Sequence, residues 1–142
     1  MTNVSRLPLK FKLVFSVPPS ALAVCKDAIF AAGAGRYPGP GNYSECCWTT
    51  MGTGQFRPGN SADPHIGKIG QLEEVPEIRV ETICVGEDIA RKAVEALKRQ
   101  VLTLDIATDD ICNDVFGSFA NELLSAHPYE EPSYSVYRME DF

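Results

Sequence analysis

The stretch KFKLVFSVPPSALAVCKDAIFAAG, residues 10–33, decides the fold. Phe11, Leu13, Phe15 and Val17 alternate with Lys10, Lys12 and Ser16. A period of two predicts a strand with one buried face, over Lys10–Val17. Pro18 and Pro19 end it, since a proline ring offers no N–H to a strand ladder. Ser20 is placed to cap a helix. Ala21, Val24, Cys25, Ala28, Ile29 and Ala32 then recur at helical spacing, and Gly33 supplies the stop. A helix is predicted over 19–32.

Outward from this pair, GAGRYPGPGNY (33–43) is a loop by composition. Its Gly-Ala-Gly start does not make a nucleotide loop, because such a fingerprint follows a strand and opens a helix, whereas this one closes a helix. SECCWTT (44–50) is rich in strand formers, and GTGQFRPG (52–59) reads as a turn and a return strand. Residues 60–70 read as a polar loop. IRVETICV (78–85) predicts a further strand. Glu87–Lys98 predicts a helix with Ile89, Ala93 and Leu97 on one face and Ala90 and Val94 beside them. SYSVY (133–137) alternates again as a last strand. The economical packing of this order is an α+β sandwich of ferredoxin-like type, βαββαβ, with the helices on one face of an antiparallel sheet.

The 142 residues fit a single domain, 1–142. A formal charge of −6 and a pI near 4.9 argue against nucleic acid, whose phosphates call for clustered Lys and Arg. No apolar stretch has the form of a signal peptide or a membrane span, which predicts a soluble protein of the cytoplasm or nucleus. Five cysteines, Cys25, Cys46, Cys47, Cys84 and Cys112, are an odd number with no C-x-x-C, so buried free thiols are expected rather than disulfides or a zinc site.

HPYEEPSYSVY (127–137), GAGRYPGPGNYSEC (33–46) and TGQFRPGNSADPHIGKIGQLEEVPEIRVE (53–81) resemble the small inserted domain of the Nif-three-like family, the GTP cyclohydrolase I type 2 homologues. The resemblance implies a stand-alone version of that domain, similar in fold to the nitrogen regulatory PII and CutA-type proteins, which are trimers. It also implies that the flanking metal-binding domains of the family are missing, so neither their dinuclear centre nor cyclohydrolase activity carries over. Val101–Ser125 does not fit the family pattern. Two readings stay open: a genuine insertion bearing a third helix capped by Asp109 or Asp110, with Ile111, Val115, Phe119 and Leu123 on its apolar stripe, or a retained intron, whose splice signals these codons can spell. Both make the segment peripheral to the sandwich.

Several residues have the chemistry of a site. His127, Glu130 and Glu131 are metal-ligand types, and His65 is the other histidine of the chain. Pro128 and Pro132 keep His127-Pro128-Tyr129-Glu130-Glu131-Pro132 out of a helix. The hexapeptide is therefore either a joint that aims the last strand or a joint whose carboxylates also face a ligand. Tyr129 packs under it with its hydroxyl outward. Arg57, before Pro58, suits a carboxylate or phosphate. The expected ligand-binding set is Arg57, Tyr129, Glu130 and Glu131, and the expected metal set is His65, His127 and Glu130, for a divalent cation.

Three functions fit these residues. The favoured one is a non-catalytic regulatory or binding module, a homotrimer holding a divalent metal or a small anionic ligand between subunits. Its trimer rests on the resemblance and on Cys47, Trp48 and Phe56, large groups on the predicted strand pair. The alternative is a protein–protein interaction factor. A small metal-dependent hydrolase comes third, since no nucleophile–base pair, phosphate loop or H-E-x-x-H set is present.

Overall fold

A computed structural model gives the fold; it describes residues 7–63, 67–110 and 133–142, the side chains of 100–110 excepted. Strand β1 is Lys10–Val17, helix α1 Leu22–Ala31, strand β2 Cys47–Phe56, strand β3 Glu73–Val85, helix α2 Glu87–Asp110 and strand β4 Tyr134–Met139. The sheet runs β2-β3-β1-β4 with every neighbour antiparallel. This is the ferredoxin-like arrangement expected from the element order.

The alternation in β1 works as predicted. Leu13, Phe15 and Val17 are essentially inaccessible and join Val80 and Cys84 of β3, Cys25 and Ile29 of α1, and Ala90, Ala93 and Leu97 of α2 in one core. The start of α1 differs from its prediction. Pro19–Ala21 forms a separate 3-10 turn, Ala21 occupies the N-cap, and no side chain caps the helix. Ser20 lies within that turn, so its hydroxyl is out of register with the N–H groups of α1. The stop at Gly33 does hold. Gly33 takes φ +104, its N–H donates to Phe30 C=O at 3.0 Å, and Ala34 N–H reaches back to Ile29 C=O at 3.1 Å. These two bonds make a Schellman close, for which a glycine is favoured. A Cβ at Gly33 would also lie 2.9 Å from Ile89 Cδ1, so the same residue lets α2 approach α1.

Three other boundaries differ. The strand pair expected over 44–59 is one unbroken strand, because the Gly52–Gly54 region continues in register against β3 instead of turning. The return strand is β3 itself, which starts at Glu73 rather than Ile78. Helix α2 does not end at Lys98; it extends for 24 residues to Asp110 and so takes in the first ten residues of the family-atypical segment. The third helix expected beyond Asp110 lies outside the described residues, as do Cys112 and the remainder of that segment. Among the described residues, no helix is long and apolar enough to cross a membrane.

Candidate functional site

Both helices pack on one side of the sheet, so register assigns each strand residue to a covered or an open face. Leu13 lies opposite Thr82, and Thr82 opposite Cys47, on the covered face. Cys47 accordingly packs against the core, which removes it from the apolar surface predicted for association. Trp48, Glu81, Val14 and Ser135 form one row of the open face, and Ile83, Lys12 and Tyr137 lie in the next. Phe56 falls on this open face as well, opposite Glu73.

The open face is part apolar and part charged. Trp48 is 61% exposed and Tyr137 57%, while Val14 and Ile83 between them are buried although no described helix covers this side. Arg79 donates to Glu81 Oε1 at 3.1 Å, an exposed cross-row pair. A hollow of about 210 Å³ opens here, lined by Lys12, Tyr37, Trp48, Glu81, Ile83 and Met139 among others. Its rim is held by backbone: Gly35 N–H donates to Ile83 C=O at 2.7 Å and Cys46 N–H to Gly35 C=O at 2.9 Å. Thr82, 4% exposed, adds a hydroxyl bond to Cys46 C=O at 2.8 Å. Gly35 is required by this closure, since it takes φ +79 and a Cβ there would meet Cys46 N at 2.8 Å. The loop 36–45 thus hangs from a tied stem and presents Tyr37 and Tyr43, 54% and 71% exposed.

Of the predicted site residues, the structure describes Arg57. Its side chain is exposed and Nη1 donates to Gly70 C=O at 2.6 Å, while Gly70 N–H returns a bond to Pro58 C=O at 2.9 Å. Arg57 therefore closes the loop between β2 and β3 while its side chain stays exposed. His65, His127, Tyr129, Glu130 and Glu131 lie outside the described residues. Among the described residues, no three His, Cys, Asp or Glu side chains come together as a metal group. Lys12, Tyr37 and Glu81 form a hollow that the sequence reading did not pick out. Its one signal was the alternation in β1, which placed Lys12 opposite the core face.

The cysteines are free thiols among the described residues, with Cys25 and Cys84 buried and Cys46 and Cys47 half-buried. Burial pushes the Cys25 and Cys84 thiols up to about 11, so both are protonated at neutral pH and unreactive.

A GTP cyclohydrolase 1 type 2 homologue of Mycobacterium leprae is 34% identical to this chain over 128 residues, 90% of this chain and 26% of that protein. The corresponding protein of Halalkalibacterium halodurans is 35% identical over 127 residues. The crystal structure of a Bacillus cereus protein related to NIF3 superposes with a TM-score of 0.62 at 30% identity, covering 96% of this chain and 27% of that one. The chain is a homologue of Nif-three-like proteins. It spans about a quarter of the length of the curated relatives it matches. No family model matches it. The matched quarter of the Bacillus cereus protein is the part that superposes on the ferredoxin-like unit described above.

Proposed function

We propose that this Nif-three-like unit is a binding module that works as a homotrimer and takes up a small anionic ligand or a divalent metal ion between its copies. The observation that carries the reading is the open sheet face. Trp48 and Tyr137 stand exposed on either side of buried Val14 and Ile83, and an apolar surface of this kind favours association. The hollow on that face is lined by Lys12 with Tyr37, Trp48 and Glu81, so it offers an anion one cationic partner, next to a carboxylate that a metal ion or a cationic group would prefer. Arg57 offers the second cation, with donors in the planar fork that suits carboxylate or phosphate. Tyr129, Glu130 and Glu131 belong to the same proposal as ligand-facing groups, and His65, His127 and Glu130 as the donors of a divalent cation. Cyclohydrolase chemistry is left with the longer relatives.

A second reading has its own observation. Tyr37 and Tyr43 stand out on the stem-tied loop, and exposed tyrosines are a common anchor of protein interfaces. In this reading the loop docks another protein.

Thermal melts of the full chain with divalent metals, inorganic phosphate and nucleotides separate the two, because a ligand of the folded state raises the melting temperature by mass action. A rise with one ligand class, lost in Lys12→Ala or Arg57→Ala, supports the first reading. Flat melts with every ligand sink it.

A further inference from the structure

We propose that the trough between α2 and the helix side of β4 binds an amphipathic monocarboxylate, with the carboxylate at Lys98 and the apolar body along β4. The trough lies on the opposite side of the sheet from the hollow over Ile83 and within a single copy, so the proposal is independent of the oligomer above. Register puts Tyr134, Val136 and Arg138 on the same side as their β1 partners Phe15, Leu13 and Phe11. The two strands fare differently there. Leu13 and Phe15 are buried, whereas Val136 is 40% exposed and Tyr134 37%. Two helices roof the middle of a four-stranded sheet and leave β4, at its edge, with α2 as a wall beside it. The result is a trough of about 620 Å³, with Phe11, Val94 and Val136 in its lining and Leu9 at the end away from Tyr134. Small-molecule sites are about 300–1,000 Å³ and mostly apolar, with a few polar groups that fix the ligand.

Charge decides what the head of the ligand is. Arg91 donates to Glu87 at 2.6 Å, Glu95 accepts from Arg99 at 3.5 Å, and Arg138 meets Glu140 at 3.5 Å. Lys98, also in the lining, forms no ion pair among the described residues. Glu95 is within reach of it, three residues back on the same helix, yet the Lys98 ammonium lies over the Tyr134 ring, 5.3 Å from its centroid. An ammonium has three N–H donors, and a ring face leaves them available to an oxygen anion. One unpaired positive charge matches one negative charge. A phosphate monoester, at about −1.5 to −2, brings more charge than Lys98 neutralises and sets it near Glu87 and Glu95. A cationic head would have to displace Arg91 or Arg99 from those carboxylates. The body of the ligand follows from Phe11, Val94 and Val136, whose apolar surface leaves water when a chain lies on it. From Tyr134 to Arg138 the strand runs about 13 Å, which suits an acyl chain of medium length.

Resonance titrations of the full chain test this with three probes: decanoate below its micellar concentration, decylammonium and acetate. Decanoate should shift the Val94 and Val136 methyls and the Tyr134 ring to a plateau. Decylammonium should bind about fivefold more weakly, and acetate, which has no apolar body, should leave these resonances in place. Lys98 is exposed, so Lys98→Glu should keep its near-ultraviolet dichroism. In that variant the order should reverse, with decylammonium the tighter ligand. Equal affinities for the two amphiphiles, or an order that Lys98→Glu leaves unchanged, overturn the carboxylate assignment. Acetate that binds as tightly as decanoate removes the apolar body. Shifts centred on Trp48 and Tyr137 would put the amphiphile on the open face, and the trough is then not the site. Flat spectra with decanoate also overturn the proposal, as would follow if the chain's own segment 111–132 filled the trough.

Discussion

Val14 and Phe15 are neighbours on β1, and they look out on different surroundings. Phe15 points into the space between sheet and helices, where Ile29, Ala93 and Leu97 complete a dry core. Val14 points the other way, into a row with Trp48, Glu81 and Ser135, on a side that no described helix covers. The covered face is closed by apolar side chains from five elements, so its contacts belong to folding. The open face mixes Trp48 and Tyr137 with Lys12, Arg79 and Glu81, a composition that suits a meeting surface. One sheet thus divides its work by the pleat, because successive side chains of a strand point to opposite faces.

Deleting a large side chain from each face should have opposite consequences. Phe15→Ala should cost about 3–5 kcal/mol in a denaturant melt, from lost burial plus the cavity left behind. Trp48→Ala on the open face should cost less than about 1 kcal/mol, as expected of an exposed position, and should weaken self-association instead. A Trp48→Ala variant as unstable as Phe15→Ala would mean that the open face is core.

Thr82 sits on the covered face but ties the loop stem. Thr82→Val keeps its shape and removes the hydroxyl bond to Cys46 C=O, so a loss of about 1–2 kcal/mol is expected by chemical denaturation. The same variant should perturb the resonances of Tyr37 and its loop more than those of α2.

The buried thiols tie the covered face to pH. Cys25 and Cys84 titrate at about 11 in the fold against an ordinary value of 9.0, so the unfolded chain releases these protons first as pH rises. Stability is therefore fully present below about pH 9 and declines as pH climbs toward about 11. Melting temperatures between those limits should fall less steeply in the Cys25→Ala, Cys84→Ala double variant. An unchanged slope would remove the thiols as its cause. The smallest effect is expected at Arg57: Arg57→Ala loosens the loop between β2 and β3 and should change stability by no more than about 0.5 kcal/mol, with faster amide exchange at Gly70 as its signature.

Most of the fold was legible because its burial is periodic. The alternation of β1 and the stripe of Ile89, Ala93 and Leu97 in α2 are each imposed by one apolar surface, and each appears where the pattern put it. The misreadings share a cause. Gly52 and Gly54 resemble a turn in sequence, yet they lie inside β2, where Gly54 leaves room for the Glu77 side chain to cross the strand. Ser20 resembles a cap, but two prolines set a 3-10 turn ahead of the helix. Local propensity is weak beside tertiary packing, and glycine and serine carry the least periodic information.

The candidate site was less legible for a related reason. Arg57 was found by type, and the structure adds its bond to Gly70, thirteen residues away. Lys12, Tyr37, Trp48 and Glu81 meet only because β1, β2, β3 and the loop stem are neighbours in the sheet, and no spacing in the chain announces that.

Residue order and composition alone carry the alternation of strands and helices, which comes from period, the stop at Gly33, which comes from local sterics, and the acidic charge, which is a count of side chains. The packed sheet adds that Cys47 turns inward while Trp48 turns out, that β2 is one long edge, and that a hollow forms over Ile83. Those depend on strand register and sheet order, which are set by contacts between residues far apart in the chain.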